Sequence, residues 1–171
     1  MHRRIAIMAL ALTLVYSQVG SADAGKDSSQ ISAATFELKD TGGKVHRLND
    51  YLSKGSVILW FTNLCSGCQS ALPQLKETFA GSKVPLLMVS VLGEDRKTPA
   101  QVKEKYGLNF PILLDPDGSV VKKYSGSYIE NTCPMKNFYR IEKDGRISFK
   151  NHYPGLDKIE LEELIKGVID P

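Results

Sequence analysis

The sequence predicts one α/β domain, a central mixed β-sheet flanked by helices with a β-hairpin extension at its N-terminal side. Three observations carry that expectation. The apolar run Val57-Ile58-Leu59-Trp60-Phe61 is followed almost at once by Cys65-Ser66-Gly67-Cys68 and then by a helical pattern. Strand-like and helix-like segments alternate through the middle of the chain. The chain then closes on an antiparallel hairpin and a strongly signalled helix.

The elements follow in order. Ala34 to Leu38 and Lys44 to Leu48 flank Asp40-Thr41-Gly42-Gly43, a hairpin signal. Val57 to Phe61 is apolar throughout, as a strand covered on both faces should be. Ala71, Leu72, Leu75 and Phe79 keep a helical stripe up to Gly81, and Pro73 inside it is expected to bend the helix. Pro85 to Leu92 reads as a second buried strand. Thr98-Pro99 offers an N-cap with proline at the first helical position, for a helix ending at Tyr106-Gly107. Phe110 to Leu114 is a further strand, stopped by Asp115-Pro116-Asp117-Gly118, with a short helix from Val120 to Tyr124. Asn137 to Ile141 and Arg146 to Phe149 surround Lys143-Asp144-Gly145 as a second hairpin. Asp157 and Glu160 resemble a capping box ahead of the apolar face Leu161, Leu164, Ile165, Val168.

The N-terminus has the three parts of a cleavable secretory signal over residues 1–24: basic Met1-His2-Arg3-Arg4, an apolar stretch from Ile5 to Tyr16, and the small-x-small ending Ala22-Asp23-Ala24. The alternative is an uncleaved N-terminal membrane anchor, although the apolar run is short for a span. Residues 25–33 read as a flexible leader and 34–171 as the domain, periplasmic or otherwise extracytoplasmic. The net charge of +3, with no basic stripe interleaved with aromatics, argues against nucleic acid as a partner.

Three cysteines in an exported chain cannot all pair within it. Cys65 and Cys68 also enclose too short a ring for a useful stabilising cross-link. Redox catalysis is the more economical use. Two cysteines three apart at a helix start lie on one face, and the first meets unpaired N–H groups and the positive end of the helix dipole. That placement makes Cys65 the nucleophile and Cys68 its resolving partner. A zinc site competes, but only Cys133, His46 and His152 are on hand to complete four ligands. Neither histidine falls at a spacing that pairs it with Cys65. His46 is expected to be an exposed strand residue and His152 a loop residue, with Lys122-Lys123 a solvated face. Trp60, Phe61, Phe79 and Phe110 are expected in the core.

On these residues the chain resembles the thioredoxin-like thiol–disulfide oxidoreductases of the bacterial cell envelope, the TlpA/ResA type of the redoxin/AhpC-TSA superfamily. The resemblance runs from about Ala34 to Ile169. It rests on the N-terminal hairpin, Trp60-Phe61 before the dithiol, Pro73, Lys105-Tyr106-Gly107, Phe110-Pro111, Leu114 to Gly118, and Lys143-Asp144-Gly145-Arg146-Ile147. It implies a thioredoxin-like fold, no cofactor, and reduction of disulfides in envelope proteins, apocytochrome c being one candidate. It also implies a membrane-bound thiol electron donor, and the chain is expected to act as a monomer. This chain departs from the family's pattern in having Leu64 in place of Trp, Gly67 in place of Pro, and Ala71 in place of an acid that can relay a proton to the resolving cysteine.

The family also carries a cis-proline facing the dithiol, and Pro134 is the candidate. The stretch from there to Asp144-Gly145 is about two residues longer than usual, which calls for a bulge or a local rearrangement. Cys133 would then point towards Cys65. It reads as an inert buried thiol, as an auxiliary thiol that exchanges or takes a soft metal, or as a means of capturing a partner. Leu64 and the neighbours of Cys133-Pro134 are a candidate apolar docking rim. Two other functions remain open. A peroxiredoxin-like peroxidase suits Thr62, three before Cys65, but not Ile58, and no peroxide-binding arginine is identifiable. A copper-binding carrier needs a wider CxxxC and a distal histidine.

Overall fold

A computed structural model describes residues 32–153 and 156–167. The expected signal segment over 1–24, most of the leader, and Val168 lie outside the described residues. Seven strands form one mixed sheet in the order β2-β1-β5-β4-β3-β6-β7. They are β1 (Glu37–Asp40), β2 (Val45–Arg47), β3 (Val57–Thr62), β4 (Leu86–Ser90), β5 (Ile112–Leu114), β6 (Phe138–Ile141) and β7 (Ile147–Asn151). The helices are α1 (Leu48–Leu52), α2 (Ser66–Thr78), α3 (Lys97–Tyr106), α4 (Ser119–Ser125) and α5 (Lys158–Lys166). Among them no helix is long and apolar enough to cross a membrane.

The apolar runs become the centre of the sheet. β3 pairs in parallel with β4 and antiparallel with β6, and every residue of β3 and β4 is buried. Because side chains alternate along a strand, one run supplies two cores. Ile58 and Trp60 face a cluster containing Leu72 and Leu75 of α2, Val102 of α3, and Leu161 and Leu164 of α5. Val57, Leu59 and Phe61 face Leu48 of α1 and Val120, Val121 and Tyr124 of α4. Sheet between two helix layers is the arrangement the alternating pattern predicts. Trp60, Phe61, Phe79 and Phe110 all sit in these cores.

Several local signals act as read. Gly107 ends α3 in the left-handed conformation, and Asp157 and Glu160 form the reciprocal capping box that starts α5. α2 runs through Pro73 to Thr78. Three expectations need correction. α3 begins at Lys97, not after Thr98, with Arg96 at its N-cap position: the Asp95 carboxylate just ahead accepts from the Lys97 and Thr98 N–H groups at 2.9 and 3.0 Å and does the capping expected of Thr98. His46 is buried, not exposed, because its Nε2 meets Asp40 Oδ2 at 2.9 Å and its Nδ1 hydrogen-bonds the Tyr51 hydroxyl. The register break lies between Arg140 and Ile141, where Arg140 pairs with Phe149 and Ile141 with Ile147. Ser148 is therefore the extra residue, on β7 beyond the segment where a bulge was expected.

At the end of the sheet far from the cysteines, Arg140 ties the last helix down. It is buried, donates to the Leu164 and Ile165 carbonyls at 2.7 and 3.0 Å, and pairs with Glu142 at 2.7 Å. Among the described residues Ser32 bridges to Arg146, and the Ala33 N–H donates to the Gly145 carbonyl at 2.8 Å. Both precede the boundary at residue 34 read from the sequence.

Candidate redox site

β3 ends at Thr62, and three residues turn the chain into α2. The turn needs an unusual backbone, and Leu64 supplies it with φ at 55°. A branched residue is strained there. Local bonds hold it: the Leu64 N–H donates to the Thr62 hydroxyl at 3.0 Å, and the Gln69 amide donates to the Leu64 carbonyl at 2.7 Å. The Leu64 side chain is buried in the same cluster as Trp60 and Leu72. Leu64 is therefore not a docking-rim residue. The strained turn drives it inward as a core anchor beneath the dithiol.

That turn places Cys65 at the N-cap of α2, exposed, with its own side chain making no cap hydrogen bond. The N–H groups of Ser66, Gly67 and Cys68 open the helix and have no carbonyl partner within it. One turn on, Cys68 is buried, its sulfur 3.5 Å from that of Cys65. The spacing argument thus gives one accessible and one sheltered sulfur on the same face of α2.

Cys133 comes to the site from the loop before β6. Its sulfur contacts Cys68 at 3.8 Å, rather than pointing at Cys65 as the sequence reading had it. It also receives the Asn63 N–H at 3.1 Å, and its S–H donates to Asn63 Oδ1 at 3.0 Å. Asn63 is the residue the sequence reading missed. Its side chain further accepts the Cys65 N–H at 3.2 Å and donates to the Asn131 carbonyl at 2.8 Å, so it staples the turn, the nucleophile and the Cys133 loop together. An Asn between a strand end and a helix start is a recognised turn signal, and that was the available clue.

The three sulfurs do not share charge evenly. A hydrogen bond from Cys68 holds the Cys133 thiol down at about 7 despite burial, helped by the Asn63 N–H. The same contact, together with burial, pushes the Cys68 thiol far up. Of the two, Cys133 gives up its proton the more readily and Cys68 keeps its own.

Pro134, half-buried, lines a small cavity with Val121, Tyr128, Ile129, Cys133 and Met135. Ile129 and Met135 are exposed at 68% and 88%, apolar side chains flanking the sulfur site where Leu64 was expected. The zinc alternative loses His46 to its bonds with Asp40 and Tyr51, and among the described residues no group of three or more His, Cys, Asp or Glu is arranged to hold a metal ion. Arg140, the buried arginine, is committed to the α5 carbonyls and Glu142 and not to the sulfurs.

A strand, a dithiol at a helix N-terminus and a mixed sheet between helix layers define a thioredoxin-like redox protein. The AhpC/TSA family model matches residues 30–150, and the chain belongs to that family. It is 31% identical over 119 residues to thiol-disulfide oxidoreductase ResA of Geobacillus kaustophilus, spanning 68% of this chain and 64% of that protein. It is 28% identical to ResA of Bacillus subtilis over 82% of this chain and 78% of that one. The chain thus matches less than two thirds of the length of the first of these relatives. Among solved structures, a secreted Mycobacterium tuberculosis disulfide oxidoreductase homologous to DsbE overlays with a TM-score of 0.62 at 22% identity, covering 77% of this chain and 95% of that one. The peroxidoxin BcpB from the same organism gives 0.65 at 21%, covering 81% and 94%. Both share the fold.

Proposed function

We propose that this chain is an exported thiol–disulfide oxidoreductase that reduces disulfides in envelope proteins. The carrying observation is the pair of unlike sulfurs at the tip of α2: Cys65 exposed at the N-cap, Cys68 buried 3.5 Å behind it. The Cys65 thiolate attacks a partner disulfide, the S–S bond breaks, and one partner thiolate leaves. Cys68 then attacks the Cys65 sulfur, releasing the second partner thiolate and leaving a Cys65–Cys68 disulfide. With Ala71 in place of an acid, the neighbour placed to take the Cys68 proton is the Cys133 sulfur at 3.8 Å. A thiol donor at the membrane restores the dithiol. The partner's backbone is received beside Cys133-Pro134, with Ile129 and Met135 as apolar contacts. The name carried by the relatives above supports the chemistry. The signal-like N-terminus supports export.

Equilibrium titration against glutathione, with mass-spectrometric mapping of the thiols, tests this reading. A Cys65–Cys68 couple more reducing than about −200 mV supports a reductant, and a value near that of strong oxidants reverses the direction. A peroxidase is the second reading, favoured by the family and by the buried Thr62 three residues before Cys65. Hydrogen peroxide turnover by the reduced protein would establish it. Cu(I) titration of the reduced protein tests the copper carrier.

A further inference from the structure

We propose that the oxidised protein exchanges between two disulfides, Cys65–Cys68 and Cys68–Cys133, and that the second form is a disulfide isomerase. The inference rests on the oxidoreductase reading and extends it. Its basis is the order of the sulfur contacts: Cys65 lies 3.5 Å from Cys68, and Cys68 lies 3.8 Å from Cys133. The buried sulfur is the shared partner of two others. Each pair has nearly the same gap to close to reach the ~2.05 Å of an S–S bond. Asn63 bridges the outer two, accepting the Cys65 N–H and holding the Cys133 sulfur through its own N–H. That N–H contact does not depend on Cys68 being a thiol, so it still stabilises the Cys133 thiolate once the S–H has given up the proton it shares with Asn63 Oδ1.

The step is a balanced exchange. The Cys133 thiolate attacks the Cys68 sulfur of the Cys65–Cys68 bond. The Cys68–Cys133 bond forms, the Cys65–Cys68 bond breaks, and Cys65 leaves as a thiolate at the exposed N-cap of α2. No electrons enter or leave the protein. The oxidised chain now presents a free Cys65 at the exposed helix tip, while its resolving sulfur is occupied. Cys65 can open a substrate disulfide to a mixed disulfide and one substrate thiolate. That mixed disulfide is released by attack of a substrate thiolate, so the substrate's bonds are reshuffled without net reduction. Ordinary CxxC chemistry loses its nucleophile on oxidation, and this arrangement keeps it.

The test uses protein oxidised by one equivalent of diamide, quenched in acid, alkylated and digested with trypsin. Cys65 and Cys68 fall on one peptide, 55–76, and Cys133 on another, 124–136, so the two disulfides have different masses and only the second cross-links peptides. We expect the cross-linked form, with the alkyl group on Cys65, in at least about one molecule in twenty. Cys133→Ala should lose it, and oxidised Cys65→Ser should be cross-linked throughout. The oxidised wild-type protein should reactivate scrambled ribonuclease without added reductant, and oxidised Cys133→Ala should not. A smaller cross-linked fraction, or an oxidised Cys65→Ser protein without the cross-link, overturns the proposal. If the Cys65–Cys68 bond still forms in the oxidised wild-type protein, the oxidoreductase reading survives; if neither bond forms there, both fail.

Discussion

Removing the Cys68 thiol should raise the Cys133 pKa, and the size of the effect can be worked from the contacts. In a Cys65→Ser background only Cys68 and Cys133 remain. Cys133 there should titrate near 7, since the Cys68 hydrogen bond and the Asn63 N–H outweigh its burial. Adding Cys68→Ala deletes the larger of those two supports, and the midpoint should return to about 8.5 or higher, the ordinary range of a free thiol. At pH 7 the thiolate fraction would fall from about one half to about 3%, roughly 16-fold. The more basic thiolate is intrinsically about 4–6-fold more nucleophilic, so alkylation should slow only about 3–4-fold at pH 7 and overtake at high pH. The assay is the rate of iodoacetamide labelling of Cys133 between pH 5 and 10. Coincident midpoints in the two variants would refute the argument, because they would mean that the 3.8 Å sulfur contact does not bias the proton.

Two further outcomes concern the frame around the site. Burial disfavours a charged Glu142, but hydrogen bonds from Arg140, Ser148 and Ser56 overcome it and hold the carboxyl at about 2. A depressed carboxyl stabilises the fold above its unfolded value near 4.3 and loses that contribution as pH falls towards 2; urea melts at pH 3 and 7 should show this, and Glu142→Gln should flatten the difference. Gly118 has φ at 65°, and a Cβ there would lie 2.1–2.4 Å from the Tyr128 ring. Gly118→Ala should cost about 2–4 kcal/mol in a denaturant melt, with part of that recovered in a Gly118→Ala/Tyr128→Ala double variant; purely additive effects would contradict the steric account.

The elements legible in the sequence are those whose cause is local or periodic. The α5 capping box involves groups three residues apart, so Asp157 and Glu160 announce it. The run from Val57 to Phe61 is apolar because helices cover both faces of β3, and that is visible without knowing which helices. The readings that failed depend on a partner brought from elsewhere or on an unusual backbone. His46 is buried because Asp40 and Tyr51 close around it. Leu64 is a core residue because a left-handed φ turns it inward, and Leu gives no sign of that. The dithiol was legible from spacing alone. Cys133 reached the site through a resemblance, but its pairing with Cys68, and the role of Asn63 between them, needed the folded backbone.

The bridge from Ser32, the first described residue, to Arg146 has a geometric consequence for how the molecule is presented. β6 runs antiparallel to β3, with Phe138 opposite Trp60 and Ile141 opposite Val57. The Lys143 to Gly145 turn therefore lies beyond the Val57 end of β3, while the sulfurs lie beyond Thr62. Six strand residues at about 3.3 Å each separate the two poles by roughly 20 Å. The chain thus enters the described fold at the pole opposite the sulfurs, which leaves the reactive tip clear of that attachment for a visiting protein.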